Sequence, residues 1–415
     1  MQLFSKVTSY LGVDIGTASV KIVELENYRG QAKLKSYGYA DINTNILRGA
    51  TNQNNQLIAN YIKEVVKKSR IESRQAIAAL PTFSVFTSII SLPPMPKKDL
   101  ASAVKWEAKK FIPLPIEEMI LDWKILNKKG VDKNVKDGKS AGASLGNLFS
   151  KDKENKGDKD KSEIEGENPS TGDQDDQGET KPPEEAKKTT TNDQVNMASK
   201  NTFGAKNYRI LLTAAPKNLV ARYLDIFKRT NINLLSLETE AFALSRSLMG
   251  NDMSSVMIVD VGSNNTDVCV IEQGVPILNR GIDTGGGVIT KAIMNSMNVN
   301  IDRAEQFKRD FGLMMSGNRS VPNTIQNALN PIINEIKYVF DLYQKQGQGH
   351  IEKIILSGGS AFLPNLPKYL SELLSLPVII GDPWDRIVYP MDLKPVLQEI
   401  GPRMAASIGL AMRDI

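Results

Sequence analysis

The stretch Leu11-Gly-Val-Asp-Ile-Gly-Thr-Ala-Ser-Val-Lys-Ile-Val-Glu-Leu25 decides how the rest of the chain is read. Val13 and Ile15 flank Asp14 in a β-rich run, Gly16-Thr17-Ala18-Ser19 supplies a tight turn, and Val20, Ile22, Val23 and Leu25 resume the strand pattern. Such a hairpin gathers one carboxylate, small hydroxyls and several backbone N–H groups at its tip. Those N–H groups can cradle a phosphate, with Lys21 as a point charge. Asp14 repels phosphate, so its natural role is to hold Mg²⁺ through water, because that ion keeps several waters. An ordinary hairpin with a polar turn shows the same short pattern, so the rest of the chain has to decide.

The pattern recurs in Ser255-Val-Met-Ile-Val-Asp-Val-Gly-Ser-Asn-Asn-Thr-Asp-Val-Cys-Val-Ile-Glu272. Asp260 matches Asp14, Gly262 matches Gly16 and Ser263 matches Thr17. Two equivalent hairpins imply two related domains that face each other, with a triphosphate and its metal between the tips. A third stretch, Lys353-Ile-Ile-Leu-Ser-Gly-Gly-Ser-Ala361, reads as a buried strand running into Gly358-Gly359 and Ser360. Backbone without Cβ can lie against a flat base or an α-phosphate.

Length 415 suits two or three domains with sizeable cores. A formal net charge of +5 makes no case for nucleic acid, and no basic run is interleaved with aromatic residues. The single cysteine, Cys269, sits in a predicted strand, excludes an internal disulfide and suits a reducing compartment. His350 is the only histidine, which disfavours a Ser-His-Asp triad or a histidine-rich metal site. The N-terminal residues lack a signal-peptide apolar core, and no stretch approaches the roughly 20 apolar residues that span a bilayer. The expectation is a cytoplasmic protein that reaches the membrane through a partner.

In chain order, residues 11–42 read as strands and 54–69 as a helix, with Leu57, Ile58, Tyr61, Ile62, Val65 and Val66 at helical spacing. Strands follow at 75–80 and 85–92, a helix at 98–111 and a strand at 120–126, which together suggest a small α+β unit. Residues 128–202 contain almost no aliphatic or aromatic side chains and predict a disordered insert. Its cluster Leu145-Gly-Asn-Leu-Phe149 reads either as a short binding motif or as part of a tolerated loop. The insert falls between two strands, so 208–214 has to pair with 120–126. Helices are expected at 218–229, 240–248, 288–297, 301–311 and 323–346, and Gly285-Gly286-Gly287 opens the third of these. A glycine-rich helix start is a plausible phosphate or ribose contact, which makes Gly285 and Gly286 candidates.

The two hairpins and the Gly-Gly motif, in this order, resemble the actin, Hsp70 and sugar-kinase superfamily. Within it the chain is most similar to the PilM family of type IV pilus assembly and next to the FtsA cell-division family. Leu80-Pro81, Trp106-Glu107-Ala108, Phe111-Ile112-Pro113, Ala214-Ala215-Pro216-Lys217, Glu240-Ala-Phe-Ala-Leu244 and Ala406-Ser-Ile-Gly-Leu-Ala-Met-Arg413 carry that likeness. The resemblance implies an α/β, two-domain actin-like (ribonuclease H-like repeat) fold that binds ATP and Mg²⁺. It implies a first domain over 1–80, an inserted α+β subdomain over 81–215, and a return with a connecting helix over 216–250. The second domain would then cover 251–400 and a C-terminal helix 401–415. FtsA relatives carry a basic amphipathic membrane helix beyond the fold. No such helix follows Arg413 here, which favours PilM.

The site assignments follow. Asp14 and Asp260 position Mg²⁺; Gly16, Thr17, Ser19 and Lys21 meet the phosphates from one side; Gly262, Ser263, Asn264 and Thr266 meet them from the other. By resemblance, Glu305 and Lys308 approach the ribose and base. Glu240 stands near the attacking water as a base or water-orienting group, or else pairs within its own helix. Ala18 and Asn264-Asn265 depart from the family pattern and argue for slow hydrolysis at most. A small-molecule kinase would need an acceptor pocket with its own Asp base, and no such motif is visible. The PilM resemblance implies as partner the cytoplasmic N-terminal tail of a PilN-like bitopic membrane protein. Its groove would be edged by Val85, Phe86 and Ile89, with Trp106 and Phe111 lining it or belonging to the core.

Overall fold

Strands β1 (Ser9–Ile15), β2 (Ser19–Tyr28) and β3 (Gln31–Asp41) form an antiparallel meander, with Asp14 opposite Lys21 at the first turn. The computed structural model describes residues 9–42, 49, 51–126, 207–314, 320–345 and 349–415. The insert expected at 128–202, with Leu145–Phe149, lies outside the described residues. To the meander, β4 (Gln75–Leu80) adds parallel to β1, and β8 (Asn233–Thr239) adds parallel to β4.

On one face of this sheet, α1 (Asn52–Lys68) and α3 (Lys217–Lys228) bury Ile58, Ile62, Tyr223 and Ile226 against Leu11, Val13 and Ile22. On the other face lie α4 (Glu240–Leu248) and α9 (Lys394–Ala411). The central strands are therefore buried on both sides, and they read as continuous apolar runs. Here α9 lies against bare backbone. A Cβ on Gly12 of β1 would stand 1.8 Å from the Ser407 carbonyl, and one on Gly409 would stand 1.9 Å from the Ala243 carbonyl.

The same five-strand order repeats in the second half of the chain. β9 (Val256–Val261), β10 (Thr266–Glu272) and β11 (Val275–Ile282) form a meander, β12 (Lys353–Ser357) joins parallel to β9, and β13 (Val378–Ile380) joins parallel to β12. α5 (Gly286–Met297), α6 (Ile301–Asp310), α7 (Ser320–Lys345) and α8 (Leu366–Leu374) accompany this sheet. Ile289, Ile325, Ile332, Ile336 and Leu370 bury into its core with Met257, Val259 and Leu356.

A third, three-stranded sheet carries the small α+β unit. β7 (Tyr208–Pro216) pairs antiparallel with both β5 (Phe86–Leu92) and β6 (Met119–Ile125), so 120–125 and 210–215 are partners across the insert. α2 (Lys97–Ala108) buries Leu100, Val104 and Ala108 on this sheet, one residue per turn on one stripe. The strand 75–80, which chain order groups with the small unit and the resemblance with the first domain, lies in the first sheet between its parallel partners β1 and β8. The chain also returns to the first sheet before residue 401: β14 (Ile387–Val388) already pairs with β3, and Trp384, 1% exposed, packs with Leu25, Leu34 and Leu397.

Candidate functional site

The two hairpin tips have one geometry. The Gly16 amide donates to the Ser19 carbonyl at 2.9 Å, and the Gly262 amide donates to the Asn265 carbonyl at 2.9 Å. This fixes a register in which Ser19 corresponds to Asn265 and Lys21 to Asp267. The tips meet: Thr17 Oγ1 donates to Asn265 Oδ1 at 3.1 Å. Between the sheets lies a cleft of about 660 Å³.

Of the residues expected at a nucleotide, Asp14, Gly16, Thr17, Ser19, Lys21, Glu240, Asp260, Gly262, Ser263, Gly286, Glu305, Lys308, Gly358, Gly359 and Ser360 line this cleft. Three others stand behind its wall. Thr266 is fully buried and its hydroxyl donates to the Thr284 carbonyl at 2.7 Å. Gly285 caps α5, where a Cβ would strike the Gly262 carbonyl at 2.5 Å. Asn264 points toward Gly287, and Asn265 takes the cleft position instead. Gly358 has φ +82, and a Cβ there would lie 2.4 Å from the Val261 carbonyl, whereas Gly359 faces open space.

The charges form two unlike halves. Lys21 Nζ lies 2.7 Å from Asp14 Oδ2, so this ammonium neutralises the buried Asp14 rather than standing free for phosphate. Burial alone would depress the Lys21 ammonium. Asp14, aided by Asp260 and Glu240, outweighs it, and the net shift is upward. In the second hairpin the corresponding cross-strand pair is Asp260 with Asp267, two acids. Burial pushes the Asp260 carboxyl up to about 6, against the pull of Lys21 and the Ser357 hydroxyl.

Asp267, 2% exposed, is raised by burial and then by Asp260. Glu240, the first residue of α4, is raised well above the usual range by burial, with Asp267, Asp14 and Asp260 adding to it. Asn265 Nδ2 donates to Asp267 Oδ2 at 2.9 Å, and Thr82 Oγ1 donates to Glu240 Oε2 at 3.4 Å. Asp267 Oδ1 is buried without a donor as long as both acids are ionised. Burial disfavours two charges on this pair, and a proton on Glu240 would supply that donor. Asp267 escapes a motif search, but aligning the two hairpins finds it, seven residues after Asp260 as Lys21 is after Asp14.

At the other end, Lys308 Nζ donates to Glu305 Oε1 at 2.7 Å and to Thr290 Oγ1 at 2.9 Å, and Thr290 also bonds Glu305. Arg309 and Arg403 line the cleft as well, and Arg403 pairs with Asp41 and lies over the Tyr39 ring. No cluster of three or more His, Cys, Asp and Glu that could enclose a metal exists among the described residues. The donor set, Asp14 and Asp260 lining one cleft, suits a Mg²⁺ ion held mainly by phosphate and water.

The five groove residues do not share one surface. Phe86 points into the core of the small sheet, while Ile89 turns its side chain to the opposite face, against Val275 and the second domain. Val85 packs on the first-domain core. Trp106, 66% exposed, stands on the outer side of α2 under Lys110, and Phe111 is exposed beyond the helix end.

The profile of the family described as Type IV pilus assembly protein PilM matches residues 12–138 and 193–415. The cell division protein FtsA of Neisseria meningitidis is 25% identical over 185 residues, 37% of this chain and 41% of that protein. The cell shape-determining protein MreB of Escherichia coli is 23% identical over 177 residues, 35% of this chain and 51% of that one. The matches thus span about half of these relatives' length or less. A solved structure described as a PilM-PilN type IV pilus biogenesis complex superposes with a TM-score of 0.70 at 22% identity, covering 97% of this chain and 98% of that one. That likeness is one of fold, and the fold is actin-like.

Proposed function

The chain belongs to the type IV pilus assembly protein PilM family, and from that premise we propose that it is an ATP-binding scaffold of the pilus assembly platform. In this reading it docks the cytoplasmic tail of a PilN-like membrane protein in a nucleotide-dependent way. The observation that carries the nucleotide half is the cleft itself: two hairpin tips of equal geometry and a Gly-Gly turn converge on one space. The amides and hydroxyls of Gly16–Ser19 and Gly262–Ser263 would hold the phosphates, and Gly358-Gly359 would admit the nucleoside beside Glu305 and Lys308. Mg²⁺ would bring charge neutralisation to the triphosphate, with Asp14 and Asp260 orienting its waters. With a proton on its carboxyl, Glu240 orients water better than it removes a proton, which fits slow turnover or none.

The partner half rests on family membership and on the solved PilM-PilN assembly of the same fold. No helix among the described residues is long and apolar enough to cross a membrane, so a membrane-bound partner would supply that attachment. Closing two domains on a nucleotide can alter a partner surface only if the partner prefers one of the two states. The test is titration of labelled ATP, with and without Mg²⁺, followed by the affinity of a PilN-like tail peptide in each nucleotide state. Saturable ATP binding and a peptide affinity that differs between states support the scaffold. Absence of ATP binding ends the nucleotide reading, and equal peptide affinities end the coupling.

A further inference from the structure

Far from the cleft, at the opposite end of the first sheet, the last turns of α1, the loop after it and residues 230–232 that follow α3 frame a second hollow of about 430 Å³. Its floor includes Ile71 and Ile232, both buried, and its rim carries Lys63, Lys67, Arg70 and Arg74. No acidic side chain lines it. The nearby carboxylates are engaged elsewhere, Glu64 with Lys68 at 2.6 Å and Glu72 with Lys35 at 3.0 Å. Among the described residues, none of the four rim cations has a carboxylate within salt-bridge distance. Arg74 gives one nitrogen to the carbonyls of residues 71–73 at 2.8–3.2 Å, which folds the loop but leaves its charge uncompensated.

Arg70 adds an independent observation. α1 ends in a closed turn in which the Ile71 amide reaches back to the Val66 carbonyl at 3.0 Å, with Arg70 at φ +52. Glycine is the usual residue there, because a Cβ disfavours the left-handed conformation. The backbone therefore does not explain an arginine at this position. Two helix C-termini account for some of the positive charge near them, but four cations around a hollow with an apolar floor exceed that need.

We propose that this hollow binds a phosphate-bearing group whose charge meets Lys63, Lys67 and Arg70 and whose apolar part rests on Ile71 and Ile232. Two sources share this chemistry, an anionic phospholipid headgroup and a soluble phosphorylated molecule. The site is independent of the nucleotide reading. Hydrogen–deuterium exchange on the full chain without added nucleotide tests it, with the peptides of the cleft followed separately from those of the hollow. One arm adds inorganic pyrophosphate; the other adds phosphatidylglycerol vesicles, with phosphatidylcholine vesicles as control.

Protection of 63–74 and 230–232 by pyrophosphate assigns a soluble ligand. The same protection by phosphatidylglycerol vesicles alone assigns a lipid headgroup. In either arm, Lys63→Gln/Lys67→Gln/Arg70→Gln, which replaces only exposed side chains, should weaken binding about 100-fold, at about fivefold per lost charge. Lys105→Gln/Lys109→Gln/Lys110→Gln on the small sheet's helix should leave it unchanged. Protection in neither arm overturns the site, as does an equal loss in both triple variants, which would show diffuse surface charge.

Discussion

Asp267 faces Asp260 across the β9–β10 ladder, at the position where Lys21 faces Asp14 across the β1–β2 ladder. The two hairpins share backbone geometry, but Asp in place of Lys at this ladder position turns an ion pair into two opposed acids. The first half of the cleft is neutralised internally by a 2.7 Å salt bridge, and the second half is left acidic and partly protonated. A cation entering with a polyphosphate has reason to sit on that second side.

Stability should therefore depend on pH through Asp260. In the fold its carboxyl holds a proton up to about pH 6, against 3.8 for the free group. Between those values the folded state binds more protons than the unfolded state, so this contribution to stability falls as pH rises. Asp260→Asn removes it. Relative to wild type, the variant should gain nothing near pH 3 and at most about 3 kcal/mol above pH 7. Urea unfolding of both proteins from pH 4 to pH 8 checks this, and a difference that stays constant across the range contradicts it.

The Lys21–Asp14 pair should behave as a unit. Lys21→Met leaves the Asp14 carboxylate, 4% exposed, without its counter-ion and near Asp260, which should cost about 3–5 kcal/mol. Asp14→Asn/Lys21→Met should recover most of that loss. A double-mutant cycle by chemical unfolding measures the coupling. Additive losses would show that Lys21 serves the cleft rather than Asp14.

Much of this arrangement was legible in the sequence because glycine and acid spacing at a strand turn leaves few physical alternatives. The hairpins at 11–25 and 255–272 and the Gly358-Gly359 turn follow from such local patterns, and the 120–126 to 208–214 pairing from an insert that falls between two strands. What stayed hidden depends on which strand lies beside which. The early return of the chain to the first sheet at β14 carries no local signal, because only two residues pair there. The alternation along β5 sends Phe86 and Ile89 to opposite faces, so a groove built on both could not be excluded by composition. Asp267 was hidden for another reason, since a lone acid in a strand carries no motif until the two hairpins are laid over each other.

The two glycines of the Ser357–Ser360 turn should respond differently. Gly358 has φ +82 and no room for a Cβ, so Gly358→Ala should destabilise the fold by several kcal/mol. Gly359 has nothing within 4 Å of a Cβ, and Gly359→Ala should unfold as wild type does while placing a methyl group in the cleft. Thermal unfolding separates the two, and ATP titration of Gly359→Ala should show weakened affinity. Unchanged affinity would move the nucleoside away from this turn.

Thr82 connects the small sheet to the chemistry of the cleft. It opens the short turn that leads into β5, is 7% exposed, and its hydroxyl reaches Glu240 at 3.4 Å. The next residue, Phe83, lies against Gly281 of β11, where a Cβ would meet both Phe83 and Asp267 Oδ1. Movement of the small sheet therefore bears on the Glu240–Asp267 pair through one turn. Thr82→Val removes the hydroxyl at nearly constant volume. Losing one hydrogen bond to the carboxyl should lower any ATP turnover about tenfold while ATP affinity stays put, since Thr82 is not among the residues lining the cleft. Thr82→Ser should restore turnover, which a purely packing role for the methyl group would not predict. Single-turnover hydrolysis alongside equilibrium ATP binding distinguishes these outcomes, and equal losses in the Val and Ser variants would reduce Thr82 to a packing residue.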